Sequence, residues 1–191
     1  MSRRRDEIRI RLPDWAAALV REVPPLPDDT AKMRLVLELA RQNVLRGSGG
    51  PFGAAVFSAR EGRCVAAGVN SVESMHNSML HAEVMALMLA EARIGHYSLH
   101  RDGAAGFELF TSCAPCAMCL GGILWSGVGR VVCGARREDA AAIGFDEGPV
   151  FPESYAYLEA RGIRFVHDLL ADEARAVLEL YRRRGGAIYN P

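Results

Sequence analysis

The chain has 191 residues, half of them hydrophobic, with 23 basic and 23 acidic side chains. That size supports one domain with a full core, plus at most an added arm. Balanced charge argues against an extended nucleic-acid surface, leaving only a local patch open, and the five cysteines, three of them clustered at 113–119, suit a reducing compartment and a metal better than a disulfide framework.

In chain order, residues 1–30 read as an N-terminal arm rich in Arg, Pro and Asp, with Arg3–Arg5 its densest basic run. Ala16–Val20 is too short for a signal-peptide core, and no apolar run reaches membrane-spanning length. A cytoplasmic protein with no membrane partner is expected. Pro24-Pro25-x-Pro27 disfavours regular structure, and Trp15 is the candidate anchor to the body. Residues 31–191 read as one domain with a C-terminal tail, 185–191. Asp28, Asp29 or Thr30 can cap a helix running to Gly47, with Met33, Val36, Leu37, Ala40 and Val44 facing inward. Gly47-Ser48-Gly49-Gly50-Pro51 is a loop, but it lacks the Gly-Lys-Ser/Thr ending of a phosphate loop.

Two strands near 53–58 and 64–69 should form a hairpin around Glu61-Gly62. A helix over about 80–93 carries His81 and Glu83. A strand near 107–112 leads into a helix at 115–125, and Val128–Gly134 reads as another strand. Short helices follow near 137–143 and 154–161, then a fifth strand at Ile163–His167. Asp172 can cap a last helix that ends at Gly185-Gly186. The alternation predicts an α/β fold, a mixed sheet with helices on both faces. The metal-bearing helices start at the ends of neighbouring strands, a usual place for sites in such sheets.

The chemistry concentrates in His81-Ala82-Glu83 and, after a gap, Pro115-Cys116-Ala117-Met118-Cys119. This H-x-E…P-C-x-x-C order is the signature of zinc-dependent base deaminases. One imidazole and two thiolates can hold zinc with its fourth position left for water, as catalytic sites do. The two thiolates cancel the metal charge and neutral His81 adds none, so water on such a centre is less acidified than on a cationic all-histidine site. A nearby base is then needed. Glu83 can take the proton and later deliver it to a departing amine. Pro115 suits the first turn of a helix, placing Cys116 and Cys119 on one face near its positive end. Asn77 or Ser78 can cap the helix of His81 and Glu83. A closed structural zinc with Cys113 as fourth ligand also fits the spacing, but gives Glu83 no role. Cys64 and Cys133 lie in apolar strand-like runs and read as core.

On these motifs the chain closely resembles the cytidine deaminase superfamily, and within it the guanine deaminase branch. The likeness spans about residues 31–191. It includes Gly50-Pro51-Phe52-Gly53-Ala54, Gly68-Val69-Asn70 and Ile123-Leu124-Trp125. The stretch Ala142-Ile143-Gly144-Phe145-Asp146-Glu147-Gly148-Pro149 and the closing Ile188-Tyr189-Asn190 point to the branch. The resemblance implies a three-layer α/β/α fold on a five-stranded mixed sheet, and one zinc per chain on His81, Cys116 and Cys119. It implies Glu83 and Glu147 as catalytic carboxylates. Asn70, Ala82, Trp125 and Tyr189 would bind the substrate: Asn70 by hydrogen bonds, Trp125 as pocket lining, and Tyr189 from a tail that closes the pocket across a domain-swapped homodimer. The implied partner is a small aminated base. The implied reaction converts guanine to xanthine and ammonia, with ammeline as a second base. Read without the family, Asn70 ends a strand, Trp125 is core, Glu147 is a solvated loop charge and Tyr189 a frayed terminus. Ala114 departs from the acidic residue that many relatives carry before the Pro-Cys, and the arm has no counterpart.

Two other classes stay open. One is a deaminase for ammeline, cytosine or transfer-RNA adenosine, the last supported only by Arg3–Arg5. The other is a non-catalytic, zinc-stabilised interaction protein, which requires a fourth protein ligand.

Overall fold

The computed structural model describes residues 7–100 and 106–189. Arg3–Arg5, Asn190 and Pro191 lie outside the described residues. One sheet of five strands has the order β2-β1-β3-β4-β5. The strands are β1 (Gly53–Ser58), β2 (Cys64–Val69), β3 (Phe107–Cys113), β4 (Arg130–Ala135) and β5 (Arg164–Val166). β1 runs antiparallel to β2 and β3, whereas β3, β4 and β5 are mutually parallel. The sheet is therefore mixed, as expected. Gly53 pairs with Val69 and Ala54 with Thr111, so the start of β1 and the ends of β2 and β3 meet at one edge.

The helices are α1 (Asp14–Arg21), α2 (Asp29–Leu45), α3 (Val72–Met75), α4 (Ala82–Ile94), α5 (Ala117–Ser126), α6 (Arg137–Ala142), α7 (Pro152–Glu159) and α8 (Ala171–Arg183). Successive strand residues point to opposite faces, and the core divides accordingly. Phe57, Phe110 and Val132 pack with Met33 and Val36 of α2 and Val177 of α8. Val56, Leu109 and Val131 pack with Ala86 of α4 and Leu120 and Ile123 of α5. These two layers of helices around the sheet give the three-layer fold.

Several local expectations are corrected. The stretch Pro24-Pro25-x-Pro27 is irregular, as expected, but residues before it form α1, with Ala16 fully buried and Leu12 against the same core. The prolines at 24, 25 and 27 act only after the helix has ended. Trp15 packs on the core, and the Arg46 guanidinium lies 5.3 Å from its ring centre. Asp28 caps α2 through a 2.8 Å bond from the Ala31 amide. Neither Asn77 nor Ser78 caps α4. Asn77 instead accepts the Met79 amide at 3.0 Å, and His81 occupies the cap position. Asp172 does not cap α8; it lies one residue inside the first turn, next to Arg175.

The N-terminal end of β3 carries a buried ion network. Lys32, the chain's only lysine, donates to Glu108 at 2.8 Å, and the other oxygen of Glu108 accepts from Arg130 at 3.1 Å. Arg130 also pairs with Asp29 through both terminal guanidinium nitrogens. Glu108 and Arg130 are register partners across β3 and β4. The Lys32 ammonium sits over Phe110 and Phe57, 5.4 and 5.8 Å from the ring centres. The hydrogen bond from Arg130 holds the Asp29 carboxyl below its usual range, against the opposing effect of burial.

Candidate active site

Two helices start at the strand-end edge, each with a metal-binding type of residue in its cap position. His81 precedes α4 and Cys116 precedes α5. Pro115 thus lies before the helix rather than in its first turn. Cys119 falls one turn after Cys116 and returns to the same side. Its sulfur lies 3.6 Å from His81 Nδ1, and that of Cys116 lies 3.5 Å from it. Bond lengths of about 2.3 Å to sulfur and 2.0–2.1 Å to nitrogen give tetrahedral N···S edges of about 3.5 Å. Both N···S edges of the trio therefore match zinc, and the three ligand atoms lie within 4.8 Å of one another. Among the described residues it is the group of ligand-type side chains that could hold a metal. Cys113 is not part of it, because its thiol donates to the Arg136 carbonyl at 3.3 Å. That removes the fourth ligand a closed structural site required.

Charge around the trio follows from burial and from the groups that face one another. Cys116 is held as a thiolate, its pKa lowered to about 4 by the Cys119 thiol and by His81, against the opposing effect of burial. The same thiolate and burial push Cys119 up. Zinc binding would release that remaining proton, since metals bind thiolates. Glu83 is 6% exposed in the first turn of α4, and burial followed by the Cys116 charge raises its pKa. Burial, Cys116 and Glu83 push Glu147 up to about 8. Two positive metal charges would act on both carboxylates in the opposite sense.

The trio opens into a cavity of about 280 Å³. Its lining includes Phe52, Asn70, Glu83, Phe145, Glu147 and Tyr189, and it contains no Arg or Lys among the described residues. Glu147 reaches it because its backbone carbonyl accepts the Ala117 amide at 3.0 Å, tying the 145–148 loop to the start of α5. Gly148 permits this approach with a φ of +67° and only 3.2 Å between an added Cβ and the Ala117 methyl. Asn70, 1% exposed, accepts the Gly50 and Val72 amides through Oδ1, both at 3.4 Å. Its Nδ2 is buried without a protein partner, and so is the Tyr189 hydroxyl. Tyr189 lies in the cavity of its own chain, with its ring centre 5.0 Å from that of Phe145.

The side chains of two expected residues are not brought to this cavity. Trp125 is 79% exposed and lines a separate recess with Leu99 and Arg161. It stands nine residues beyond Cys116 along α5, a displacement of about 13 Å at 1.5 Å per residue. Ala82 is fully buried in the core between α4 and the sheet. Its carbonyl crowds Gly68, where an added Cβ would meet it at 2.1 Å, so only its backbone amide at the helix start is left for a ligand. Phe52 and Phe145, edge-to-face at 5.0 Å, are the aromatic lining that the sequence reading did not single out. Both sit in quoted motifs, but neither falls in a periodic pattern that marks its direction.

Residues 27–135 match the family model of the cytidine and deoxycytidylate deaminase zinc-binding region. The chain is 36% identical over 140 residues to guanine deaminase of Bacillus subtilis, covering 73% of this chain and 85% of that protein. The solved structure of guanine deaminase from Nitrosomonas europaea superposes with a TM-score of 0.88 at 44% identity, over 94% of this chain and 98% of that one. The protein NE0047, solved with 2,6-diaminopurine, gives a TM-score of 0.89 at 45% identity over 97% of each chain. A transfer-RNA adenosine deaminase structure shares the fold alone, at 23% identity and a TM-score of 0.61. With a zinc-compatible His/Cys/Cys centre at paired helix starts and relatives covering most of its length, the chain belongs to the cytidine and deoxycytidylate deaminase family, in its guanine deaminase branch.

Proposed function

We propose that this enzyme hydrolyses guanine to xanthine and ammonia. One observation carries the choice of a free base: the metal trio sits in a small cavity, lined by Tyr189, with three carboxylates (Glu83, Asp146 and Glu147) and no Arg or Lys among its described residues. Its volume of about 280 Å³ lies at the lower end of ligand pockets, which run from roughly 300 Å³ upward. Phosphate or a polynucleotide backbone would find no positive partner there. A purine edge rich in N–H groups suits carboxylates, which accept hydrogen bonds when ionised. Asn70 offers a fixed donor and Tyr189 an unpaired hydroxyl, so both buried groups gain a partner when a base enters.

When bound, zinc supplies Lewis acidity to a water molecule. Glu83 takes the proton of the water that adds to the amine-bearing ring carbon, then gives it up as the amine leaves. Glu147 receives the amine-bearing edge and assists that proton movement. Phe52 and Phe145 hold the ring and exclude bulk water. The test is an ultraviolet assay of zinc-loaded protein against guanine, ammeline, 2,6-diaminopurine, cytosine and adenosine. Loss of guanine absorbance with xanthine as product is expected; an unchanged guanine spectrum overturns the assignment.

Met88 of α4 and Trp125 of α5 are exposed on helices that cover the same side of the sheet. We propose a homodimer through this face, which gives Trp125 an apolar partner outside its own cavity. The tail that carries Tyr189, which lines the cavity of its own chain, is the segment that such a dimer could exchange. A monomer at micromolar concentration in sedimentation would reject this dimer. All five cysteines are free, in keeping with a cytoplasmic enzyme. Residues 1–30 are read as an arm on a deaminase domain of 31–191. No described helix is long and apolar enough to cross a membrane.

A further inference from the structure

The loop after α2 carries three glycines with different physical reasons. Gly47 has a φ of +60°, which favours glycine at a helix end. Gly49 and Gly50 are not among the residues with positive φ. Backbone conformation therefore does not require glycine at either position; space does. A Cβ on Gly49 would lie 1.9 Å from the Asn70 carbonyl oxygen, and one on Gly50 would lie 2.1 Å from the Tyr189 hydroxyl.

Asn43, fully buried on α2, holds this loop in place. Its Nδ2 donates to the Gly50 carbonyl at 2.8 Å and to the Asn70 carbonyl at 2.9 Å, and its Oδ1 accepts the Ser48 hydroxyl at 2.8 Å. The Gly50 amide in turn donates to Asn70 Oδ1. With that oxygen occupied by backbone amides, the carboxamide of Asn70 is oriented, and its nitrogen is the end left unpaired. Gly50 thus touches both unpaired polar groups of the cavity, one through its amide and one through the missing side chain.

We propose that Gly50 is a positioning residue for base recognition: its bare α-carbon is the seat of the Tyr189 hydroxyl, and its amide, in a loop that Asn43 holds by the Gly50 carbonyl, sets the direction of the Asn70 donor. Gly50 itself contacts the substrate through neither. The inference rests on the guanine reading for its kinetic arm only, because the seating of the tail can be read without substrate.

The experiment compares Gly50→Ala, Tyr189→Phe and the double variant as zinc-loaded full chains. Hydrogen exchange of the peptide ending the chain is read first. Gly50→Ala should speed exchange at 185–189 while core strands keep wild-type protection. Tyr189→Phe removes the atom at 2.1 Å and leaves the ring carbon that an added Cβ would meet at 3.0 Å. A ring can yield by that amount, so the double variant should regain most tail protection. In the kinetic arm, Gly50→Ala should raise KM for guanine about tenfold or more with a smaller change in kcat, as overpacking of a buried seat predicts. The double variant should approach Tyr189→Phe alone. Additive losses in exchange, or wild-type tail protection in Gly50→Ala, overturn the proposal. If tail exchange behaves as expected but guanine is not turned over by any of the proteins, the seat stands and the substrate assignment fails. If Gly50→Ala loses core protection as well, recovery or non-recovery of that protection in the double variant decides the case, since only a clash with the hydroxyl is relieved by Phe.

Discussion

Two buried polar regions lie at opposite ends of β3 and are built in opposite ways. At the N-terminal end, Lys32, Glu108, Arg130 and Asp29 satisfy one another, with each carboxylate paired to a cation. At the C-terminal end, Asn70 Nδ2 and the Tyr189 hydroxyl have no protein partner, and Glu83 and Glu147 are both shifted toward their protonated forms. A buried polar group left unpaired costs stability, of order 1–3 kcal/mol. The first region returns that cost within the chain. The second recovers it only when a metal and a ligand arrive. The contrast separates a structural ion network from a binding site on physical grounds alone.

The largest test of this contrast is Glu83→Gln. Turnover should fall by about 10²–10⁴-fold, the usual contribution of a positioned acid–base group. Zinc content, measured by atomic emission, should stay at one per chain. Metal-free Glu83→Gln should also be more stable near neutral pH than the metal-free parent. The sign follows from the raised pKa: the folded state binds the proton more tightly than the unfolded chain, so stability falls as pH rises above the unfolded carboxylate value. A less stable variant in thermal melts would contradict the picture of a strained carboxylate.

Lys32→Ala tests the other end. It leaves Glu108 facing one cation instead of two in a buried setting, and should cost about 1.5–3 kcal/mol in urea unfolding, the usual worth of a hydrogen bond between charged groups. The kcat/KM of the surviving folded fraction should be unchanged. A selective loss of activity would break the division between the two regions.

Asn70→Ala is expected to be milder than Glu83→Gln. It removes a donor held in place by two backbone amides, and should raise KM roughly ten- to hundredfold, as loss of one buried hydrogen bond to a ligand does. A fall in kcat at unchanged KM would move Asn70 from binding into the proton transfers.

Asp29→Asn is expected to have the smallest effect, and it depends on pH. The folded-state pKa of Asp29 is depressed by Arg130. Its contribution is thus fully present above the unfolded carboxylate value and is lost as pH falls through the folded one. The melting difference between parent and variant should therefore be present at neutral pH and close below about pH 4. A difference that persists in acid would show that shape, rather than charge, keeps Asp29 in place.

Much of this molecule is legible in its sequence because its signals are local. Strands β1 and β2 fall at 53–58 and 64–69, where runs of small and β-branched residues meet a turn at Glu61-Gly62. Cys116 and Cys119 are three apart on one chain segment, so helix geometry alone puts their sulfurs on one side. The sequence left most open the positions where a side chain had to choose a direction. Trp125 has the composition of a pocket residue, yet the axis of α5 carries it to the surface. Ala82 sits between two functional residues, and the helix turns its methyl into the core. Asn77 and Asp172 are good capping residues whose side chains found nearer partners.

By itself, the sequence determined the reaction type, since a histidine, a carboxylate and two thiols in that order define a metal, its open position and a proton carrier. It also determined the strand and helix order, because patterns of period two and 3.6 are written in adjacent residues. The tertiary structure decided which groups share one cavity. His81 and Cys116 are 35 residues apart, and they meet because β1 runs antiparallel to both β2 and β3 and brings their ends to the same edge of the sheet. It also decided that Gly50, Asn70 and Tyr189 come together. No local pattern records that encounter, because a missing side chain on one segment matters only when another segment fills its space.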